Sequence, residues 1–227
     1  MPAPISIIIP TLNAEADLPG CLDSLMPGLD AGLIRELIIS DGGSTDGTET
    51  IAEAAGARIL AGEKGRAKQL IAGAEPARGD WLLFLHADTV LSRDWAEHVM
   101  EHLNTRPEIA AVFTLAYRSD DRMAKAIAAR ANRRARWLGL PYGDQGLLVS
   151  RALYDEIGGY DDIPLMEDVR IVQAIGKKRI AILSAEARTS AAKYERDGWR
   201  QRSWRNTWLI TRYLMGASPE SLARLYR

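Results

Sequence analysis

The first 108 residues alternate short apolar runs with longer segments of helical periodicity, and this alternation limits the possible folds more than any other feature. The pattern predicts strands at 5–9, 36–40, 57–60 and 81–85 and helices at 15–29, 44–55, 64–75 and 92–104. Strands and helices that alternate in this way form βαβ units around a parallel sheet. We therefore predict an α/β fold with a Rossmann-like, mostly parallel central sheet flanked by helices, in which ligands bind at the carboxyl ends of the strands.

The second half of the chain follows a less regular pattern. It predicts strands at 110–116, 147–150 and 180–185 and helices at 122–138, 151–157 and 167–176, followed by two helices separated at 216–219. The sequence contains no internal repeat and no low-complexity linker. We expect a single domain over residues 1–227, with a first half (1–108), a second half (109–187) and a basic, tryptophan-rich helical tail (188–227).

Charge is unevenly distributed, although the whole chain carries a formal net charge of only −1. Residues 118–136 hold seven Arg and Lys against two Asp, and residues 188–227 hold nine against three acids. Such segments suit an anionic partner, phosphate or a lipid surface, and equally a charged face in water. Because Cys21 is the only cysteine and no uncharged apolar stretch reaches 18 residues, we expect a cytoplasmic protein whose tail is a candidate for peripheral contact with the inner face of the membrane.

Polar residues and glycines follow each predicted strand of the first half, at 10–13, 40–48, 64–69 and 86–89. Asp41 can accept from a base or a ribose, while a helix that begins near Ser44 and the cations at 64–68 suit a diphosphate. Capped turns and a solvated basic turn are the alternative interpretations. Neither the dinucleotide motif G-x-G-x-x-G nor the P-loop motif occurs, which argues against dehydrogenases and kinases.

Asp88 comes directly after the predicted strand at 81–85. A carboxylate that a buried strand delivers to the sheet edge is costly without a partner, and a divalent cation supplies one. Mg²⁺ and Mn²⁺ are usually bound by carboxylate, phosphate and water oxygens. We therefore predict that Asp88 holds Mn²⁺ or Mg²⁺ at a nucleotide diphosphate. His86 could join the metal ligands or bond the nucleotide, and a core role is its alternative.

The second half contains a further acidic pair, Glu167 and Asp168, directly before an apolar helical run. Acidic residues are favoured at a helix N-terminus, which alone explains the pair. In the functional interpretation, one carboxylate is a general base that removes the proton of a hydroxyl. The polar segment at 142–146 is a candidate for contact with the molecule that carries this hydroxyl, or simply a loop.

Five motifs follow one another along the chain: P-T-L-N, D-G-G-S-T-D-G-T, K-G-R-A-K-Q, L-F-L-H-A-D-T and M-E-D. In this order the chain resembles family 2 glycosyltransferases with the GT-A fold over nearly its whole length. It is most similar to a small bacterial subgroup with L-H-A-D-T and Y-G-D-Q motifs. The resemblance implies an inverting enzyme that moves a single sugar from a nucleoside-diphosphate sugar, most commonly of uridine, to a hydroxyl acceptor.

The resemblance also implies roles for matching residues. Thr11 and Asp41 would lie near the nucleoside, Arg66 near the diphosphate and Asp88 at the metal. Asp168 would be the catalytic base, with Glu167 as the second choice. The chain departs from the family where Ala87 precedes Asp88 in place of a second aspartate, and where the Q-x-x-R-W signature of polymer-forming members is absent.

The predicted site therefore divides between the two halves. The nucleotide-sugar donor is predicted to contact Pro10, Thr11, Asn13, Asp41, Gly42, Gly43, Asp46, Lys64, Gly65, Arg66, Gln69, His86 and Ala87. The acceptor, a small or lipid-linked molecule, is predicted to contact Tyr142, Gly143, Asp144, Gln145 and Met166. A sugar-phosphate nucleotidyltransferase and an inactive nucleotide-binding homologue are the rival functions. We expect no nucleic-acid partner, and the sequence leaves the oligomeric state open.

Overall fold

The computed structural model describes residues 3–226, which form an eight-stranded sheet surrounded by helices. The strands are β1 (Ile5–Thr11), β2 (Ile34–Asp41), β3 (Arg58–Ala61), β4 (Trp81–Phe84), β5 (Thr89–Leu91), β6 (Ala110–Tyr117), β7 (Leu147–Ser150) and β8 (Ile180–Thr189). The helices are α1 (Leu18–Ser24), α2 (Met26–Asp30), α3 (Thr48–Ala54), α4 (Arg66–Ala74), α5 (Trp95–Thr105), α6 (Arg122–Leu138), α7 (Arg151–Glu156), α8 (Glu167–Ile175), α9 (Ala192–Asp197), α10 (Trp199–Leu214) and α11 (Pro219–Tyr226).

The strand order is β3-β2-β1-β4-β7-β6-β8-β5. β3, β2, β1 and β4 run parallel, and so do β6 and β8. β7 is antiparallel to both β4 and β6, and β5 is antiparallel to β8. The predicted α/β architecture with a mostly parallel sheet is confirmed, and the carboxyl ends of β1 to β4 lie along one edge.

The core covers both faces of the sheet. Side chains alternate between the faces of a strand, so Ile7 and Ile9 of β1 pack into one cluster while Ile8 packs into the other. All three are fully buried. A strand buried on both faces is typical of a parallel sheet between helical layers, which explains why β1 is continuously apolar.

Several element boundaries differ from the predictions. The helix predicted at 15–29 is two helices, α1 and α2, because Pro27 at the start of α2 has no N–H to continue the first. The helix predicted from Ser44 begins at Thr48 instead. β8 continues to Thr189 rather than ending at 185, and its last residues pair with the unpredicted strand β5.

The tail contains three helices rather than two, and the predicted break at 216–219 separates α10 from α11. Leu209 and Ile210 of α10 and Leu222 of α11 pack with Met166 and Val169 of the second half. The tail therefore packs over that half. Trp204 remains 71% exposed. Among residues 3–226, no helix has both the length and the apolar character needed to cross a bilayer.

Candidate active site

The loop after β2 is organised around the carboxylate of Asp41. Its Oδ1 accepts from Thr11 Oγ1 at 2.8 Å and from Ser44 Oγ at 2.5 Å. Its Oδ2 accepts from the backbone N–H groups of Gly43 and Ser44, at 2.9 and 2.6 Å. Burial raises the pKa of Asp41, but these bonds outweigh it and the net pKa is lowered. The ionised carboxylate therefore closes the loop, and the N–H groups predicted to lie free at a helix start are bound within it.

A second set of bonds joins this loop to the one after β1. Asn13, whose φ of 50° is left-handed, accepts from the Thr45 N–H at 2.8 Å and donates its own N–H to Ser44 Oγ. Asp46 accepts from the N–H groups of Thr48 and Glu15, both at 3.1 Å. Asn13, Asp41 and Asp46, which are predicted to contact the nucleotide sugar, are thus brought together in one hydrogen-bonded network that fixes both loops.

Gln69 of α4 joins the ends of β1 and β2 through two hydrogen bonds. Its amide donates to the carbonyl of Thr11 at 2.6 Å and to that of Ser40 at 2.7 Å, and the side chain is buried. A Cβ on Gly42 would lie 3.2 Å from this amide, a tight contact that glycine avoids. Pro10 is half-buried at the end of β1. Both amide N–H groups of Gln69 are therefore used to hold this edge of the sheet together.

The three cations around the start of α4 have different environments. Arg66 Nε contacts the carboxylate of Glu167, which is 2% exposed, and thereby joins α4 to α8. Lys68 pairs with Glu63 at the surface, and Lys64 is exposed beside Gly65, the residue that precedes α4. Of the three, Arg66 lines the main cleft, and its side chain is still 42% exposed.

The main cleft opens where β4 ends and holds about 180 Å³. The predicted site residues that line it are Arg66, His86, Asp88, Tyr142, Asp144, Met166 and Asp168. Asp88 Oδ1 accepts a long bond of 3.3 Å from Thr189 Oγ1 of β8. Ala87, between His86 and Asp88, packs against the core of the sheet. Residues from both halves therefore converge on one space.

The surroundings of His86 in this cleft favour the neutral imidazole. Burial, with the nearby charge of Arg66, lowers its pKa to about 3. A Cβ on Gly143 would lie 2.8 Å from His86 Nε2 and 3.5 Å from the Cβ of Asp168. The ring therefore lies against Gly143, next to the predicted base, and only a glycine leaves room for it.

Met166 sets the direction in which the acidic pair points. It precedes α8 with φ 70° and ψ 18°, a left-handed conformation that is strained for a residue with a side chain. From this corner Glu167 reaches Arg66, while Asp168 turns towards the cleft. Asp168 Oδ2 accepts from the Gly143 N–H at 2.9 Å, and Oδ1 accepts from the Val169 N–H at 2.8 Å. Two fixed donors thus hold the carboxylate in a defined orientation.

The segment at 142–145 sends its two polar side chains in different directions. Gln145 is fully buried and donates to the Phe113 carbonyl at 2.9 Å. It lines neither the main cleft nor a second cavity, of about 70 Å³, that adjoins the cleft. Asp144 faces the cleft, and its Oδ1 is buried without a hydrogen-bond partner among residues 3–226. Burial raises the pKa of Asp144 to about 6, although Arg134 lowers it in part.

The residues of the cleft fit a cation that takes most of its ligand atoms from a bound nucleotide and from water, and few from the protein. Within residues 3–226, no group of three or more His, Cys, Asp and Glu side chains is placed to hold a metal. Asp88 accepts one long bond, so its carboxylate retains capacity for a cation. A divalent ion there would take its other ligands from phosphate and water, as Mg²⁺ commonly does at nucleotides.

The sequence-based reasoning missed the far wall of the cleft. That wall consists of Tyr117, Thr189, Lys193, Tyr194, Arg202, Asn206 and Tyr226. They come from β6, β8 and the three tail helices, and no local motif marks them. Arg202 is 6% exposed and bonds Asp197 at 2.5 Å, so part of the tail's basic charge serves to pair helices.

Comparisons with known proteins place the chain among glycosyltransferases. The chain is 37% identical over 95 residues to glucosyl-3-phosphoglycerate synthase of Mycobacterium tuberculosis (38% of this chain, 29% of the relative). It is 43% identical over 99 residues to a PGL/p-HBAD biosynthesis glycosyltransferase of Mycobacterium bovis (40% of this chain, 38% of the relative). The matched segments thus span well under half the length of these relatives.

A solved structure of the synthase from Mycobacterium tuberculosis in complex with Mg²⁺ and uridine diphosphate has the same fold. It matches with a TM-score of 0.59 at 25% identity, covering 81% of this chain and 69% of that one. The family model for Glycosyl transferase family 2 matches residues 6–159, more than half of the sequence. The chain belongs to glycosyl transferase family 2.

Proposed function

We propose that this protein transfers a single sugar from UDP-sugar to a hydroxyl acceptor, with inversion at the anomeric carbon. The convergence of Asp88, Arg66 and Asp168 on one cleft at the ligand-binding edge of the sheet carries the proposal. Arg66 and Asp168 lie on α4 and α8, and Asp88 lies in the turn between β4 and β5, up to 102 residues apart in sequence. Packing alone does not require two carboxylates to face one space.

The reaction is a single displacement. The acceptor oxygen attacks the anomeric carbon, the bond from that carbon to the β-phosphate oxygen breaks, and the hydroxyl proton passes to a carboxylate oxygen of Asp168. The N–H groups of Gly143 and Val169 fix this carboxylate, and the start of α8 suits its negative charge. Attack opposite to the leaving group inverts the configuration.

The departing UDP carries the charge that the site must stabilise. Arg66 offers a guanidinium to the diphosphate, and Glu167 holds it in place from behind. A divalent cation held by Asp88 would neutralise further charge on the diphosphate. His86, neutral and next to Gly143, is suited to a hydrogen bond with the sugar or the phosphate.

Uridine is the proposed base because the related synthase was solved with Mg²⁺ and uridine diphosphate. Thr11 and Asp41 are the proposed nucleoside contacts, with Gly42, Gly43 and the other loop residues shaping the surface. The acceptor is proposed to lie beside Asp144 and Met166. A lipid-linked acceptor and contact of the tail with a membrane remain predictions, for which exposed Trp204 is the candidate contact.

Nucleotide binding with and without Mn²⁺ tests the proposal. We expect UDP with Mn²⁺ to raise the melting temperature by about 4 °C or more, and GDP to raise it less. Asp88→Asn should remove the Mn²⁺ dependence. Asp80→Asn, at the opposite end of β4, is the matched control and should keep it. If UDP and GDP both leave the wild-type melting curve unchanged, the donor assignment is wrong.

Product analysis separates the rival functions. UDP-glucose with an acceptor should yield UDP and a glycoside of inverted configuration. A nucleotidyltransferase would instead release pyrophosphate from UTP and a sugar phosphate. An inactive homologue would bind UDP without any release of product.

A further inference from the structure

A smaller side cavity adjoins the main cleft, beneath the tail. It holds about 70 Å³ and lies between α6, α10 and the turn at 142–145. Five residues line both spaces: Tyr117, Tyr142, Asp144, Tyr194 and Asn206. Arg134 of α6 lines the side cavity but not the main cleft. A molecule whose hydroxyl reacts in the main cleft could therefore extend into this space.

Three of the residues that line the side cavity each carry a buried polar atom with no hydrogen-bond partner among residues 3–226. The atoms are Arg134 Nη2, Asp144 Oδ1 and Asn206 Oδ1. Six such side-chain atoms exist in the described chain, so half of them belong to residues around one small space. Buried polar groups are nearly always bonded, and a cluster of exceptions indicates a place where another molecule completes the bonds.

The remaining atoms of these side chains are firmly held. Arg134 Nε donates to the Leu140 carbonyl at 2.8 Å, and its guanidinium lies 3.4 Å above the ring centre of Tyr142. Asn206 Nδ2 donates to Tyr194 Oη at 3.2 Å. Arg134 and Asn206 thus each use one end for the fold and leave a buried polar atom without a partner at the other, which is the arrangement of a prepared binding site.

The free groups define the chemistry of the ligand. Arg134 offers an N–H donor, whereas Asp144 and Asn206 offer oxygen acceptors. A carboxylate or phosphate would be repelled by the oxygens of Asp144 and Asn206, and an amine would be repelled by Arg134. Hydroxyl groups both donate and accept, so a set of them can satisfy all three residues at once.

We propose that the side cavity binds a neutral, hydroxyl-rich part of the acceptor, such as one face of a sugar ring or a polyol. The inference rests on the proposed function, whose acceptor it specifies. A space of this size holds about five water-sized groups, enough for a few hydroxyl-bearing carbons. The rings of Tyr117, Tyr142 and Tyr194 supply apolar area for the carbon skeleton.

A panel of acceptors tests the assignment. Each is incubated with the protein, UDP-glucose and Mn²⁺, and the release of UDP is measured against the background hydrolysis without acceptor. The panel contains myo-inositol, methyl α-glucoside, glycerol, 1-hexanol and 3-phosphoglycerate. We expect turnover with the neutral sugars and polyols and none above hydrolysis with hexanol or 3-phosphoglycerate. Preferred use of 3-phosphoglycerate or of hexanol would overturn the inference.

Variants locate the effect. Asn206→Leu should raise the KM for the best neutral acceptor about tenfold, with the KM for UDP-glucose within about twofold. Gln201→Leu, an exposed amide on the same helix, is the matched control and should behave as wild type. Arg134→Lys keeps the charge but loses the planar fork, and should also raise the acceptor KM. An unchanged acceptor KM in folded Asn206→Leu and Arg134→Lys proteins would overturn the assignment.

Calorimetric titration of UDP with Mn²⁺ into the same preparation separates two kinds of failure. If UDP binds but no neutral acceptor is used, the acceptor assignment is wrong and the proposed donor stands. If UDP does not bind, the proposed function fails, and this inference with it. Saturation-transfer NMR with methyl α-glucoside then reports on the side cavity without turnover.

Discussion

The loops at the ends of β1 and β2 and the side cavity under the tail are both rich in polar residues, but they use them in opposite ways. In the loops, Asp41 accepts four hydrogen bonds from its neighbours, and Asn13 and Asp46 add further cross-links. Around the side cavity, Asp144, Asn206 and Arg134 each keep a buried atom without a partner among the described residues.

The difference separates polar groups that build the molecule from those that await a ligand. A satisfied network fixes its loops, because each bond lost inside the protein leaves an unpaired group. An unsatisfied group costs free energy until a ligand or water completes it. Mutations in the loops should therefore reduce stability, whereas mutations around the cleft should change catalysis and can even increase stability.

The largest expected effect concerns Asp168. Asp168→Asn keeps the shape of the side chain but removes the base, so kcat should fall about 10³-fold while the Kd for UDP stays within a few fold. Single-turnover kinetics and calorimetry measure the two quantities. Asp162→Asn, an exposed neighbour, is the control. Near-normal turnover in Asp168→Asn would transfer the role of base to another group and weaken the contrast between cleft and loops.

Asp41→Ala should have the next largest effect, and it should act on stability. The change leaves the Thr11 hydroxyl and two backbone N–H groups without their acceptor, which should lower the free energy of unfolding by about 2–4 kcal/mol. Because the folded pKa of Asp41 lies below its ordinary 3.8, its contribution is present above pH 3.8 and is lost as the pH falls through the lowered value. Urea unfolding at neutral pH measures the loss.

The control for this experiment is Asp23→Ala, an exposed carboxylate on α1. If Asp41→Ala unfolds at the same urea concentration as the control, Asp41 does not hold the loops together, and its role is confined to the proposed contact with the nucleoside. That result would remove the proposed division of labour between the two regions.

The sequence predicts one region far better than the other, and for a physical reason. Strands β1 to β4 and their polar ends follow from local periodicity, and the predicted bounds of α6 match because Asp121 caps its start and Gly139 its end. The start of α3 was predicted too early, since the Asp41 carboxylate binds the N–H groups of Gly43 and Ser44.

The side cavity depends on contacts that no local pattern encodes. Asn206 and Arg134 lie on different helices, and only their packing shows that they face one space. β5 has three residues and exists because it pairs with the end of β8, about 100 residues later. The left-handed Met166, which directs the acidic pair, carries no glycine or asparagine signal. Motifs predict several residues that line the cleft but not the walls around them.

The smallest expected effect, on Asp144, tests the comparison from the other side. Burial raises the folded pKa of Asp144 from 3.8 to about 6, so the native state binds this proton more tightly than the unfolded chain does. Stability should therefore fall as the pH rises from about 4 to about 6, and above that the wild type keeps a costly buried charge. Asp144→Asn removes this cost and should stabilise the protein at pH 8, on the order of 1 kcal/mol.

Urea unfolding in EDTA at pH 8 and at pH 4 measures this effect, because EDTA excludes any contribution from a bound cation. The gain should shrink at pH 4, where the folded carboxyl is neutral and no longer carries a buried charge, and Asp120→Asn at an exposed position should show no gain at either pH. A destabilised Asp144→Asn at pH 8 would mean that Arg134 stabilises the carboxylate by more than burial costs. In that event Asp144 would belong with Asp41 among the groups that build the fold, and the cleft would hold one fewer group reserved for the acceptor.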